Sequence, residues 1–93
     1  METSRFDAEA WKAQRGIDES EMTRYAMVSS LEKELRPGMP RERVLELLGP
    51  PDSSAGDGSI DTYLLGIGFS PDPQYLKLTY KDGRLVSTSR RVL

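Results

Sequence analysis

Three aspartates, Asp52, Asp57 and Asp61, lie close enough in the sequence to raise the question of a calcium site. A calcium loop of the EF-hand type alternates oxygen ligands, then has a glycine for a sharp turn and an acidic residue at its end. Counted from Asp52, the glycine position holds Asp57 and the final acidic position holds Tyr63. The pattern fails at both positions, so we expect no metal site and interpret the aspartates as solvated loop residues.

Catalytic chemistry has little support in the residue types present. The chain has no histidine, no cysteine and no GxSxG motif, so it lacks the commonest general base near neutral pH and the usual nucleophile signatures. Gly66 and Gly68 are followed by Pro71 where a dinucleotide-binding loop requires its third glycine. Acid–base catalysis needs two titratable groups whose environments shift their pKa values apart. The carboxylates of this chain lie on segments that look exposed to water, so no such pair is expected. We therefore expect no enzyme activity and no cofactor.

Charge and hydropathy exclude two further classes. The 93 residues carry 13 basic and 15 acidic side chains, and neither half of the chain is a basic arm. A phosphate-tracking nucleic-acid binder is therefore not expected. No apolar run approaches the roughly 20 residues of a membrane span, and the N-terminus lacks a signal-peptide core and a cysteine for a lipid anchor. We expect a cytoplasmic protein as given, or a periplasmic or outer-membrane-associated one if a targeting segment was removed before Met1.

The most organised stretch of the chain is GMPRERVLELLGPPD, residues 38–52. Pro40 suits the first position of a helix, and apolar residues follow it at helical spacing. Gly49 stands where a left-handed residue ends a helix, and Pro50 prevents any continuation. No further glycine, lysine or hydroxyl completes a phosphate-binding loop. The stretch therefore predicts a short helix with its start and stop signals, and a positive φ at Gly49.

The other elements are one earlier helix and three strands. Apolar residues at three- and four-residue steps predict a helix over residues 20–35, with Ser20 as its N-cap. Alternation of apolar and polar residues predicts the strands, with the intervening loops rich in glycine, proline, serine and aspartate. The predicted strands span residues 60–65, 74–80 and 84–92. The order predicts an α+β fold, α-α-β-β-β, with two N-terminal helices on one face of a three-stranded antiparallel meander.

Residues 1–19 precede this pattern and are predicted to form an N-terminal arm, followed by a domain of residues 20–93. The arm contains two aromatic residues, Phe6 and Trp11. Because no neighbouring residue suggests a ligand for them, we expect both to cover a gap in a small core.

The last hairpin, at residues 81–83, admits two turns. A tight two-residue turn pairs Tyr80 with Leu85, whereas a turn that ends in a left-handed glycine bulge pairs Tyr80 with Arg84. A slip of one residue exchanges the two faces of the strand. The second register buries Val86 and keeps two serines out of the core, so we predict the second register.

Seven short motifs follow one another in a recognisable order over about residues 20–93. They are RYAMVSSL (24–31), Gly38-Met39, Val44, LLGPPD (47–52), YLLG (63–66), YLKLTY (75–80) and Asp82-Gly83. Together they resemble the BamE family (SmpA/OmlA), a two-helix, three-strand domain that is also found doubled in β-lactamase inhibitory proteins. The resemblance implies a non-catalytic module that binds other proteins.

The sequence departs from that family in three respects. Pro40 stands where the family usually has a Ser or Thr helix cap, and Arg43 replaces the Glu of the capping box. The signal peptide and lipid-modified cysteine of the outer-membrane members are absent. This last departure concerns the periplasmic location and the β-barrel assembly role of those members more than the fold.

A protein-binding surface is expected near the loop at residues 66–73. Ile67 and Phe69 are apolar residues in a glycine- and proline-containing loop. With Tyr63 and Tyr75 they are candidates for an exposed patch at one end of the sheet. The alternative is that Ile67 and Phe69 fold back over the core.

The strand at residues 60–65 is predicted to be a sheet edge with Asp61 as its one charged residue. Such an edge accepts a strand from a protein partner or from a second copy, which would give a homodimer. Two functions are therefore expected. One is a BamE-like interaction domain that binds an unidentified protein, and the other is an inhibitor or immunity-type protein that blocks an enzyme, by analogy of fold alone.

Overall fold

A computed structural model describes residues 5–67 and 72–92 of the chain. The helices are α1 (Ala8–Ala13), α2 (Arg24–Glu34) and α3 (Arg41–Leu48), with a short 3-10 helix at Glu19–Glu21. The strands are β1 (Ser53–Ser54), β2 (Ile60–Ile67), β3 (Pro73–Lys81) and β4 (Arg84–Val92). They form one antiparallel sheet in the order β1-β2-β3-β4. The α+β class is confirmed, with one short helix and one short strand more than the sequence predicted.

Helix α2 begins later than predicted, because Ser20 is engaged by the residue two positions before it. The Asp18 carboxylate accepts hydrogen bonds from the Ser20 backbone N–H at 2.8 Å and from its hydroxyl at 2.7 Å. This local turn competes with helix capping, as is common for Asp and Ser. Helix α2 therefore begins at Arg24, and Ser20 is not its N-cap.

Helix α3 has the predicted start and stop signals. Pro40 lies just outside the helix at φ −64° and ψ 142°, one position before the predicted one. Gly49 ends the helix with φ 74°, as predicted. A Cβ built on Gly49 would lie 3.3 Å from Cγ of Lys12, so α1 packs close to this helix end.

One hydrophobic core lies between the helices and the inner face of the sheet. Its buried members are Trp11, Met27, Val28, Leu31, Leu35, Val44, Leu48, Tyr63, Leu65, Leu76, Leu78, Tyr80 and Leu85. The Phe6 ring packs against Trp11 in an edge-on arrangement, with 5.9 Å between the ring centroids. The expectation that these two aromatic residues complete the core is therefore confirmed.

The predicted edge at residues 60–65 is largely covered. In β1, Ser53 lies opposite Thr62 and Ser54 lies opposite Asp61, so the segment expected to be a loop adds a short strand to the sheet. A two-residue strand is too short to show alternation in the sequence, and for that reason it was not predicted. The outer strands of the sheet are β1 and β4.

The predicted register of the last hairpin is wrong, beginning at its turn. Asp82 and Gly83 both have positive φ, 53° and 76°, which is the conformation of a tight type I′ turn. Tyr80 consequently lies opposite Leu85. Leu85 is 3% exposed and Val86 is 49% exposed, which is the reverse of the predicted burial.

A bulge nevertheless occurs in this hairpin, two residues beyond the turn. Thr79 lies opposite Ser87, which leaves Val86 as the extra residue of β4. The shift turns Ser87 and Ser89 to the outer face together with Thr79 and Lys77. With one register along the whole hairpin, burial of Leu85 would place both serines in the core, whereas the bulge buries Leu85 and still keeps both serines out of it.

The link between α2 and α3 is bonded to the start of β4. The Gly38 N–H donates to the Leu85 carbonyl at 2.7 Å, and the Leu85 N–H donates to the Met39 carbonyl at 2.8 Å. The Arg41 N–H donates to the Gly83 carbonyl at 2.8 Å. The link therefore covers the free side of β4 as far as Leu85.

Candidate functional site

The structure divides the predicted site residues between the two faces of the sheet. Tyr63 faces the helices and is fully buried, and its hydroxyl donates to the Gly49 carbonyl at 2.7 Å. Tyr75 lies on the outer face and is half-buried, whereas Ile67 is exposed at the end of β2. Phe69 lies outside the described residues. Tyr63 therefore takes no part in a surface patch, because the alternation along β2 turns it inward.

An open groove of about 610 Å³ crosses the outer face of the sheet. Its lining residues come from β1 to β4 and the turn before β1, and are Asp52, Ser53, Thr62, Leu64, Tyr75, Lys77 and Arg91. Tyr75 lies at the centre, since it is opposite Leu64 on β2 and opposite Arg91 on β4. We call the cross-strand row of Leu64, Tyr75 and Arg91 the outer row.

The outer groove carries positive charge that other side chains do not neutralise. Within residues 5–67 and 72–92, Lys77 and Arg91 form no ion pair and no side-chain hydrogen bond. The acidic residue of the groove is Asp52, and its carboxylate is engaged by the Leu64 N–H at 2.8 Å and by Arg24 at 3.3 Å. The groove therefore presents two available cations beside one leucine and one tyrosine.

Arg24 holds one end of the groove from the inside of the molecule. Its guanidinium is fully buried, donates to the carbonyls of Trp11 (3.0 Å) and Leu64 (3.1 Å), and lies 4.8 Å from the centre of the Trp11 ring. Burial lowers the pKa of Arg24, and the nearby Asp52 carboxylate offsets part of that effect. Arg24 and Asp52 together bond both backbone groups on the free side of Leu64. They thus replace a neighbouring strand there and fix Leu64 in the groove.

Asp61 is the second buried charge, and it corrects the interpretation of this residue as solvated. Its carboxylate is fully buried and accepts two bonds from Arg41, at 2.9 and 3.0 Å, and one from the Ser54 hydroxyl at 2.6 Å. The hydrogen bond to Asp61 raises the pKa of Arg41. The Arg41 guanidinium also lies 5.9 Å from the centre of the Tyr80 ring. This network ties the first turn of α3 to β1 and β2.

Sequence signals for the two buried charges existed but were local and weak. Asp61 alternates with Tyr63 and Leu65, which face inward. Arg24 precedes Val28 and Leu31 by four and seven residues, so it lies on the buried side of α2. Each signal gives the direction of the charged side chain, but it does not identify the partner that offsets the free-energy cost of burying the charge.

The part of the chain that the structure describes has neither a cluster of metal-ligating side chains nor a helix that could span a membrane. Within it, no group of three or more acidic side chains is placed to hold a metal ion. No helix of these same ranges has the length and apolar character needed to cross a membrane. The chemistry that the outer groove offers is binding, through apolar contact, hydroxyl groups and two cations.

Comparisons with known proteins do not assign the chain to a family. The sequence matches no protein-family model, and no curated protein is significantly similar to it. The function is therefore inferred from the geometry of the outer groove.

Proposed function

We propose that this chain is a non-catalytic module that binds another protein through the outer face of its sheet. The outer row carries the proposal. Leu64 and Tyr75 are half-buried side by side on the face opposite the helices, and Arg91 extends the row with an available guanidinium. Tyrosine and arginine are enriched at the centres of protein interfaces, where an apolar body and a polar tip are both used.

The BamE-like resemblance supports the same proposal. Residues 24–92 have two helices followed by the strands of an antiparallel sheet, in the order that the resemblance implies. Gly49 ends α3 with positive φ immediately before Pro50 and Pro51, within the motif LLGPPD. We propose on this basis that the chain is a BamE-like interaction domain.

A second candidate is an inhibitor or immunity-type protein that blocks an enzyme. The available cations of Lys77 and Arg91 favour it, because an acidic active-site cleft would complement them. Both candidates use the outer face and differ in what the partner is. Loss of the captured partner's enzymatic activity when the protein is added would favour inhibition.

The test captures partners from an extract of the source cell with the wild-type protein, and then measures how much of the same partner each variant retains. Tyr75→Ser and Arg91→Glu should each lower the retained amount at least about tenfold, as expected for central interface residues. Lys33→Glu is the matched charge control, because Lys33 is an exposed residue of α2 on the helical side. It should retain the partner.

Thermal melting of each variant separates loss of binding from loss of folding. Outer-face side chains contribute little to the core, so the melting temperatures of Arg91→Glu and Lys33→Glu should agree closely. Full retention of the partner by both Tyr75→Ser and Arg91→Glu would contradict binding through the outer face.

A further inference from the structure

The free side of β4 is open beyond the point where the α2–α3 link leaves it. The link bonds to Gly83 and Leu85, and among the described strands only β3 neighbours β4. From Val86 to the end of the strand, no residue in the described parts of the chain pairs with this side. An open sheet edge presents unpaired N–H and C=O groups that another strand can bind.

The register identifies which backbone groups point outward. The Tyr80 N–H donates to the Ser59 carbonyl on the β2 side, and the Leu85 opposite Tyr80 bonds to the α2–α3 link instead of β3. In an antiparallel ladder, every second pair behaves in this way. Leu78 and Leu76 follow Tyr80 at two-residue steps, so their partners Thr88 and Arg90 turn their N–H and C=O groups to the open edge.

Side chains at this edge add an apolar recess and a cation. Val86 is 49% exposed and lines a recess of about 60 Å³ with Leu35, Pro37 and Leu85. This volume suits a small aliphatic side chain. At the other end, Arg91 is exposed and available, whereas Arg90 is already bound to Glu32 at 2.8 Å.

Charge is distributed unevenly between this part of the sheet and the rest of the protein. Residues 73–92 contain five basic residues and one acidic residue, whereas the remaining residues contain eight basic and fourteen acidic ones. The β3–β4 hairpin is therefore basic in a chain with a net charge of −2. An acidic segment would be attracted to it, and a basic one would be repelled.

We propose that the open edge of β4, from Val86 to Arg91, accepts an extended acidic segment of the partner protein as a fifth strand. Main-chain bonds to Thr88 and Arg90 hold the segment, an aliphatic side chain enters the recess beside Val86, and a carboxylate meets Arg91. This inference rests on the proposed protein-binding function and adds the chemistry of the partner. Strand addition of this kind takes affinity from the backbone and specificity from alternate side chains.

Two other occupants fit the edge less well. A second copy would bring two β4 strands together, and with them the available Arg91 of both chains, which repel one another. A nucleic acid would satisfy the cations but has no backbone groups that continue a β-ladder at Thr88 and Arg90. An acidic polypeptide satisfies both the charge and the open ladder.

The test uses three synthetic peptides titrated into the full chain and followed by NMR. The first alternates glutamate and valine, the second has lysine in place of glutamate, and the third is the first peptide N-methylated at every residue. The glutamate–valine peptide should shift the amide signals of residues 87–91. Each of the other two should bind at least about tenfold more weakly, because about two main-chain bonds or the favourable charge are lost.

Variants of the protein test the same edge from the other side. Thr88→Pro removes an outward N–H, a change that edge strands tolerate, and should weaken binding of the glutamate–valine peptide at least about tenfold. Arg91→Glu should weaken it by a similar factor, and Lys33→Glu is the matched control that should leave it unchanged. The N-methylated peptide decides the question on the wild-type chain even if Thr88→Pro folds poorly.

Several results would overturn the inference. One is that the glutamate–valine peptide fails to bind, and another is that the N-methylated peptide binds as tightly as the glutamate–valine peptide. Tighter binding of the lysine peptide, or binding of a uridine RNA through residues 87–91, would contradict it equally. A wild-type dimer that Thr88→Pro dissociates would assign the edge to a second copy instead. If a captured partner depends on Tyr75 but not on Thr88, outer-face binding stands and the fifth strand is wrong.

Discussion

Two ion pairs hold β2, and they are built in opposite ways. In the Arg24–Asp52 pair the cation is fully buried and the carboxylate side chain is 26% exposed. In the Arg41–Asp61 pair the carboxylate is fully buried and the arginine side chain is 32% exposed. A buried aspartate that loses its partner can take up a proton, whereas an arginine remains charged. Although the two ion pairs have similar geometry, the two ends of β2 should therefore respond differently to the loss of an ion-pair partner.

The two pairs also do different structural work. Arg24 and Asp52 complete the backbone bonding of Leu64, which belongs to the outer row. Asp61 and Arg41 join α3 to the sheet, with Ser54 as a third partner. The first pair therefore supports the proposed binding surface, and the second supports the packing of a helix.

The largest effect is expected for Asp52→Ala. The change leaves the buried Arg24 guanidinium without its counter-ion and frees the Leu64 N–H, so the free energy of unfolding should fall by about 3 kcal/mol. Urea unfolding measures it. Adding Arg24→Met to this variant should recover part of the loss, since the uncompensated cation is then gone. A double variant less stable than Asp52→Ala would break the comparison.

Arg41→Ala should cost about 2 kcal/mol at neutral pH, because Asp61 is left buried with Ser54 as its remaining partner. Adding Asp61→Asn to this variant should recover part of the loss, since the uncompensated carboxylate is then gone. Urea unfolding of the single and double variants, with the wild type as reference, measures the change. A double variant less stable than Arg41→Ala would mean that the buried charge is not what destabilises this end of β2.

The two buried tyrosines sharpen the comparison further. The Tyr63 hydroxyl donates to the Gly49 carbonyl, whereas the Tyr80 hydroxyl is buried beside Arg41 without a hydrogen-bond partner in the described structure. Tyr63→Phe should therefore lower the free energy of unfolding by about 1 kcal/mol, and Tyr80→Phe should leave it unchanged or slightly higher. Chemical denaturation of the two variants provides the measurement. The opposite order would show that Tyr80 has the more valuable bond.

The smallest effect concerns alkaline pH. Burial raises the pKa of Tyr63 and Tyr80 above the ordinary value of 10.0. Their contribution to stability is complete below that value and is lost as pH rises above it, because the unfolded chain ionises first. Between about pH 9 and about pH 10 the free energy of unfolding should fall by about 0.7 kcal/mol from this cause. The Tyr63→Phe/Tyr80→Phe double variant should lack this component, and an unchanged slope would contradict it.

Local patterns predicted those parts of the molecule that local chemistry determines. The stop signal at Gly49, the shared face of Tyr63 and Leu65, and the outward direction of Tyr75 follow from backbone preference and alternation. The placement of Tyr63 in an exposed patch was wrong, because alternation does not say which face of a strand meets the core. Helix α2 was misplaced at its start because Asp18 offers Ser20 a local bond that competes with helix capping.

The remaining features depend on pairs of residues that are distant in sequence. Asp61 is buried because Arg41, which lies on a helix, reaches it. Arg91 lies opposite Tyr75 because the bulge at Val86 shifts the ladder; in the predicted register, Ser89 occupied that place. The place of Tyr75 in the outer row could therefore be predicted from the sequence, but the place of Arg91 could not. A sequence pattern gives the direction of a side chain, but its neighbour across the sheet follows from the whole register.

The bonds between the α2–α3 link and the start of β4 have a consequence for how the protein is made. A ribosome delivers α2 and α3 before β4, yet the Gly38 N–H, the Met39 carbonyl and the Arg41 N–H find their partners only at residues 83–85. Because β4 follows the helices and the other strands, the emerging chain cannot close its core segment by segment. Synthesis must bring out β4 before folding of this domain completes, so a nascent chain that stops short of β4 should expose its apolar residues to chaperones and proteases.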